Sequence, residues 1–220
     1  MFDPIIKRPN FGKYITLEGP EGTGKTFFLN QLSESNPDLY TVLEFPNEGF
    51  GKVIYSALSQ NSDEFFRHGF PSSEALFFFS MKLYVFEDQV LPALNEGKIV
   101  IEDRGVDTTA LYSAILMNEK HGGEIFDYYD KLVSIKAQFS PLPDKTILLL
   151  PDKNKSLKRA QKRDGRRYND SELEFLDKIH DNYKLLSERG IERINTLNVD
   201  TGESNNEIVN NLEKIIGVSK

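Results

Sequence analysis

Lys13-Tyr14-Ile15-Thr16-Leu17-Glu18-Gly19-Pro20-Glu21-Gly22-Thr23-Gly24-Lys25-Thr26-Phe27-Phe28-Leu29-Asn30-Gln31-Leu32 decides the reading of this chain. Its first six residues are a β-branched and aromatic run, the pattern of a buried strand. Phe27 to Leu32 has the apolar spacing of a helix. Between them, Gly19 to Thr26 fits G-x-x-x-x-G-K-[ST], the phosphate-binding P-loop. Gly19, Gly22 and Gly24 let the backbone N–H groups of the loop, Glu21 and Thr23 among them, curl around the phosphates of ATP. Lys25 reaches the β- and γ-phosphates, and the Thr26 hydroxyl is a ligand for Mg²⁺. The helix that follows turns the positive end of its dipole toward the anion. Strand, loop and helix in this order distinguish a P-loop from a chance glycine-rich turn.

Outward from this unit, strand-like and helix-like segments alternate. Strands are expected at 13–18, Tyr40–Glu44, Lys98–Glu102, Lys145–Leu150 and Arg193–Val199. Helices are expected at Thr26–Ser35, Gly51–Leu58, Thr108–Asn118, Gly123–Ala137, Asn154–Lys162, Ser171–Arg189 and Asn205–Ile216. A longer helix follows Pro71, with Ser72 or Ser73 as its N-cap. It ends near Leu94, with Pro92 as a kink or stop and Gly97 as the C′ residue. This alternation predicts an α/β fold, a three-layer P-loop sandwich around a five-stranded, mostly parallel sheet. Residues 1–12, with Pro4 and Pro9, form an N-terminal extension. Residues 13–217 form a single domain, with a short mobile lid near 153–169.

Composition narrows the function. The 220 residues are 39% hydrophobic and 28% charged, ordinary for a soluble globular chain. No cysteine is present, which removes disulfides and thiolate metal sites and fits a reducing, cytoplasmic setting. His68, His121 and His180 have no ligand spacing and are expected at the surface or at caps. No apolar run approaches the ~20 residues of a membrane span, and the N-terminus lacks the pattern of a signal peptide. A net charge of −7 argues against generic nucleic-acid binding. Residues 153–167 nevertheless hold eight basic residues and one acid, a balance of +7 that leaves −14 for the rest. Such a segment is either a solvated face or a grip on a polyanion, and the P-loop favours the grip.

A second motif ends the strand Lys98-Ile99-Val100-Ile101-Glu102. Asp103-Arg104 stands where ligands sit in open α/β sheets, at a strand's carboxyl end. A carboxylate there can orient Mg²⁺-bound water or an acceptor hydroxyl, and a guanidinium can clamp phosphate bidentately. The bland alternative is a structural ion pair. Asp107 or Thr108 would cap the helix that follows.

Taken in order, the motifs resemble the thymidylate kinases among the P-loop nucleoside-monophosphate kinases, over residues 13–217. The resemblance rests on the P-loop with Glu21, on Phe45-Pro46 with Gly49, and on the aromatic Phe78 four residues before Lys82. It rests also on Asp103-Arg104 with Asp107-Thr108-Thr109 and Tyr112, and on the lid arginines Arg159, Arg163, Arg166 and Arg167. It implies phosphorylation of dTMP by Mg-ATP in a homodimeric enzyme that needs neither nucleic acid nor membrane. Lys25, Arg104, Asp103 and Arg163 are then catalytic. Thr26 and Asp103 organise the metal, and Arg159 joins the P-loop in ATP binding. Glu21, Phe45, Phe78, Lys82, Arg104, Thr108 and Tyr112 form the acceptor site, with Phe78 stacked on the base. Three consecutive aromatics, Phe77 to Phe79, cannot share one helix face. Only the family spacing selects Phe78.

The chain departs from the family around the acceptor base. Lys82 replaces an arginine, and Ser113 replaces a frequent glutamine. These changes leave open another acceptor, such as dUMP, a modified deoxynucleotide or an unphosphorylated deoxynucleoside. The altered lid leaves open a nucleotide-binding module without catalysis.

Overall fold

The computed structural model of the chain describes residues 4–8, 11–45, 48–60 and 67–218. Met1 to Asp3 and Pro9 of the extension lie outside the described residues, as does Pro46 of the Phe-Pro pair. Five strands, β1 (Lys13–Glu18), β2 (Leu39–Val42), β3 (Ile99–Asp103), β4 (Lys145–Leu150) and β5 (Ile194–Asn198), form one parallel sheet in the order β2-β3-β1-β4-β5. The expected α/β architecture with a five-stranded sheet is what the structure has.

Both sheet faces are covered, which explains the near-continuous apolar runs in the strands. Ile15, Leu17, Ile101, Ile147 and Leu149 pack against α1 (Lys25–Ser35) and α9 (Asn205–Ile216). On the opposite face, Tyr14 and Val100 pack with Val85, Phe86 and Val90, and Leu148 packs with α5 (Val106–His121) and α8 (Asp170–Glu188). The remaining helices are α2 (Gly49–Ser59), α3 (Pro71–Val85), α4 (Leu91–Asn95), α6 (Ile125–Phe139) and α7 (Lys153–Asp164).

The long helix after Pro71 is α3 and α4 joined by a π-helical turn, Phe86–Val90. The Leu91 N–H donates to the Phe86 carbonyl, five residues back. Pro92 has no N–H, and in a regular helix its ring would press on the carbonyl four residues earlier; the wider turn relieves that conflict. Neither Ser72 nor Ser73 caps this helix. Phe70 is the N-cap, and the Glu74 carboxylate folds back to accept the N–H groups of His68 (3.1 Å) and Phe70 (2.7 Å). Gly97, at φ 80°, takes the expected left-handed position after α4.

Residues 5–8 of the N-terminal extension are docked. Ile5 and Ile6 donate to the carbonyls of Gln138 and Phe139 at 2.9 and 2.8 Å, and Arg8 pairs with Asp144. Asp144 also accepts the N–H of Tyr14 (2.9 Å), so the extension is tied to the start of β1.

Candidate functional site

The register Leu17↔Asp103 puts the ends of β1 and β3 side by side. The P-loop and Asp103-Arg104 therefore emerge at one edge of the sheet, where ligands of such folds bind. Gly24 is the N-cap of α1 at φ 97°, a left-handed conformation that favours glycine. No side chain caps α1 and no acid lies in its first turn, so its N-terminal N–H groups face the loop. At Gly22 a β-carbon would lie 2.0 Å from the Ser156 carbonyl oxygen, so the P-loop touches α7 backbone to backbone.

Lys25 is buried and folded over its own loop, donating to the carbonyls of Gly19 (2.9 Å) and Pro20 (3.0 Å). Burial, reinforced by Arg104, pushes its ammonium down to about 8, although Glu21 and Asp103 oppose the shift. The Thr26 hydroxyl lies 3.4 Å from Asp103 Oδ2, while Asp103 Oδ1 is buried with no hydrogen-bond partner. A hydroxyl beside a carboxylate with an unused oxygen suits Mg²⁺, which takes few protein ligands and keeps several waters. Among the described residues no group of three or more His, Cys, Asp or Glu gathers around a metal position.

Arg104 is the pivot of the site. It is buried, and it takes φ 56°, a left-handed conformation unusual away from glycine. Its guanidinium meets Glu21 at 2.5 Å, Glu44 at 3.2 Å and the Tyr112 hydroxyl at 3.3 Å. For Glu21, burial is outweighed by Arg104, Lys25 and Arg163, and the carboxyl is held below its ordinary range. For Glu44, burial prevails over Arg104 and the carboxyl is pushed up. These two acids are the charge partners of the Arg104 guanidinium.

A cavity of about 270 Å³ opens next to this cluster. Glu21, Phe45, Phe78, Lys82, Arg104, Thr108, Tyr112 and Arg163 all line it, so residues expected from distant parts of the sequence meet there. Of the three consecutive aromatics, Phe79 is core, Phe77 is exposed and Phe78 faces the cavity. Phe45 packs on Tyr55, with ring centroids 4.7 Å apart.

Several expectations change in detail. Asp107 does not cap α5: it is buried, accepting both guanidinium N–H₂ groups of Arg193 at 2.6 Å and the Thr146 hydroxyl at 2.8 Å. Thr108 does not cap it either; its hydroxyl is held by Glu18 and Tyr183. Lys82 lines the cavity but is bound to Glu102 (3.0 Å) and to the Glu44 carbonyl (3.2 Å). His180 is buried rather than exposed, with its ring 3.1 Å from the Ser156 hydroxyl. The basic segment is α7 and the turn after it, and its arginines Arg159, Arg163 and Arg166 have partners. Arg159 clasps Asp200 with two bonds of 2.8 Å and donates to the Gly22 carbonyl at 2.6 Å. Arg163 bridges Glu21 (3.1 Å) and Asp164 (2.7 Å), and Arg166 clasps Glu172.

Glu18, Glu44, Tyr55, Glu102 and Asp200 were missed by the sequence reading. Glu18, Glu44 and Glu102 lie within two residues of a strand's carboxyl end, a signal that could have found them. Asp200 carries the same signal, two residues past the end of β5, and Tyr55 carries none.

Comparison with known proteins agrees with this geometry. The sequence profile of the family described as thymidylate kinase matches residues 17–212. A thymidylate kinase of Clostridium novyi is 31% identical over 200 residues, covering 87% of this chain and 92% of that protein. One of Wolbachia pipientis is 28% identical over 221 residues, covering 94% and 97%. In fold, the chain is similar to thymidylate kinase from Ehrlichia chaffeensis (TM-score 0.62, 21% identity, 94% of this chain and 99% of that one). It is also similar to the enzyme from Candida albicans (TM-score 0.70, 22% identity, 94% and 92%). With its P-loop, its Asp-Arg turn and a family match across most of its length, this chain belongs to the thymidylate kinase family.

Proposed function

We propose that the protein transfers the γ-phosphoryl group of Mg-ATP to dTMP, giving dTDP and ADP. The observation that carries this reading is the position of Arg104, buried between the P-loop acid Glu21 and an aromatic-walled cavity. Phosphoryl transfer needs positioning and charge neutralisation more than covalent help from the protein. The nucleophile is an oxygen of the acceptor phosphate, already ionised at neutral pH, so no general base is required.

Lys25 exchanges its two carbonyl partners for the β- and γ-phosphates, and the amides of Gly19 to Thr26 cradle the nucleotide. Arg104 exchanges Glu21 and Glu44 for the two phosphates that must meet. Arg159 and Arg163 reach the P-loop from α7, and there they screen the transferring charge. Phe45, Phe78 and Tyr112 wall the acceptor, with Phe78 on its base. Thr26 and Asp103 would hold Mg²⁺, which supplies neutralisation of the phosphate oxygens. Release of ADP from Mg-ATP, measured with dTMP, dUMP, dCMP, UMP, thymidine and no acceptor, tests the assignment. Dominant turnover with dTMP is expected, and Lys25→Ala with normal turnover would refute it.

The binding of Lys82 to Glu102 favours a second reading at the base end. A lysine so held offers a single remaining N–H where a planar arginine fork would offer more. A different acceptor ranking first in the same panel would establish it, with the transfer machinery unchanged.

Exposed Phe50, Val53, Leu76 and Phe77 on α2 and α3 support the homodimer. Residues 108–117 are mostly core, with Ala110, Leu111, Ala114 and Ile115 buried, and do not offer such a face. Phe77→Asp should yield a monomer by sedimentation. No described helix is long and apolar enough to cross a membrane. A cytoplasmic setting, without membrane or nucleic-acid partners, remains part of the proposal.

A further inference from the structure

Helix α5 carries Tyr112 and begins two residues after Arg104, yet it has no cap of its own. Its N-cap residue is Gly105, which has no side chain to offer. The first turn of a helix leaves N–H groups without intrahelical partners, and a buried one must find them elsewhere. Here the partner comes from β1. Glu18 Oε1 accepts the N–H of Gly105 at 2.9 Å, and Oε2 accepts the N–H of Thr108 at 3.1 Å together with the Thr108 hydroxyl. Two side chains share these duties in an ordinary capping box, one on the N-cap N–H and one on the N3 N–H. A single carboxylate from another element performs both. Glu18 is fully buried, and the fit is close: a β-carbon at Gly105 would lie 2.4 Å from Thr16 Cγ2 and 3.2 Å from Glu18 Oε1.

The second observation is the backbone of Arg104. A left-handed conformation at a non-glycine residue persists only when its surroundings over-determine it. On one side the Arg104 N–H donates to the Leu17 carbonyl at 3.0 Å. On the other, the next N–H, that of Gly105, is taken by Glu18. Both restraints come from consecutive residues of β1, and Glu18 itself leads into Gly19 of the P-loop.

We propose that Glu18 is a positioning residue for phosphoryl transfer: it locks the Arg104–Gly105 turn to the root of the P-loop and so aims the Arg104 guanidinium. Donor loop and acceptor-side arginine are thereby registered to each other through one carboxylate. This inference rests on the phosphotransferase reading above.

Glu18→Gln tests it. The amide keeps one acceptor oxygen but turns an N–H₂ toward a second donor, so one half of the cap must open. Two readouts are taken together: hydrogen exchange of the amides in 104–109, which needs no activity, and kinetics normalised to ATP-binding stoichiometry. Exchange in 104–109 should accelerate at least tenfold, and kcat should fall at least 30-fold, with KM for ATP within threefold of wild type. A merely structural role would lower thermal stability while leaving kcat per ATP-binding molecule unchanged, and that result would overturn the proposal. Unchanged exchange at 104–109 would overturn it as well. If Glu18→Gln does not fold, Glu18→Asp, which keeps the charge but withdraws it by one methylene, must show the same kcat loss and the same local exchange. A wild-type protein without transfer to any acceptor would remove the functional reading instead, and the exchange measurement alone would then judge Glu18.

Discussion

Lys82→Met should destabilise this protein far more than an ordinary lysine substitution. The Lys82 ammonium and the Glu102 carboxylate are 3.0 Å apart, and their side chains are 5% and 3% exposed. Glu102 has no access to bulk water, and its other oxygen is held by the Tyr14 hydroxyl. Removing the lysine leaves a buried carboxylate with one neutral donor, a change that costs about 3–5 kcal/mol. At roughly 2–4 °C per kcal/mol for a chain of this size, Tm should fall by about 10 °C. Methionine matches the lysine stem in length, so little packing is lost and the change isolates the charge. Glu102→Gln in the same molecule removes the stranded charge but keeps an acceptor for Tyr14. The double variant should therefore recover at least 2 kcal/mol of the loss, an interaction energy of the size expected for residues in contact. Calorimetric unfolding of the wild type, both single variants and the double variant measures this cycle. A Tm change under 2 °C for Lys82→Met alone would refute the reasoning. It would mean that the pair is hydrated, and that Lys82 is free to follow a substrate rather than held by Glu102.

Arg163→Ala should lower kcat about tenfold or more while raising the acceptor KM by less, because a charge meeting the transferring phosphate acts mainly on the transition state; steady-state kinetics with both substrates varied checks this. Burial, with help from Lys153, depresses His180 to about 4, below the ordinary 6.5. Its contribution to stability is therefore complete above pH 6.5 and is lost as pH falls toward 4, by roughly 2–3 kcal/mol. Denaturant unfolding across that window should flatten in His180→Gln, and an unchanged slope would assign the acid sensitivity to other groups. Asp103→Asn should raise the Mg²⁺ concentration for half-maximal turnover about tenfold or more, as loss of a metal-orienting carboxylate does. An unaltered Mg²⁺ titration would place the ion elsewhere.

The fold was legible because its signals are local and strong. The run 13–18, the glycines of the P-loop and the regular alternation of later segments each point to a parallel α/β sheet, and none depends on distant contacts. Cavity residues such as Phe78 and Tyr112 could be singled out only through the resemblance to the family's motifs. Their partners could not. Asp107 has the composition of a cap, yet Arg193, eighty-six residues later, draws it into the core. Glu18 looks like the last residue of a strand, and only the parallel pairing of β1 with β3 brings it to the start of α5. The exchange of Arg159 with Asp200 likewise depends on how β5 ends relative to α7. What escaped the sequence is charge pairing between elements far apart in the chain, which no periodicity encodes.

The π turn at 86–90 fixes more than the path of one helix. A wide turn holds one residue more than the α-helix it interrupts, so the faces before and after it stand in different rotational phase. Upstream, Phe78 and Lys82 face the cavity; downstream, Val90, Ala93 and Leu94 face the sheet. Each α-helical residue advances the face by about 100°. A one-residue deletion in this segment would thus turn α3 about its axis, swinging Lys82 away from Glu102 and bringing the exposed Leu76 and Phe77 into new surroundings. Loops at the rim of the sheet can gain or lose residues without such consequences. Between Lys82 and Pro92 the residue count is itself a specification, and a length change there would alter the cavity lining without substituting a single residue of it.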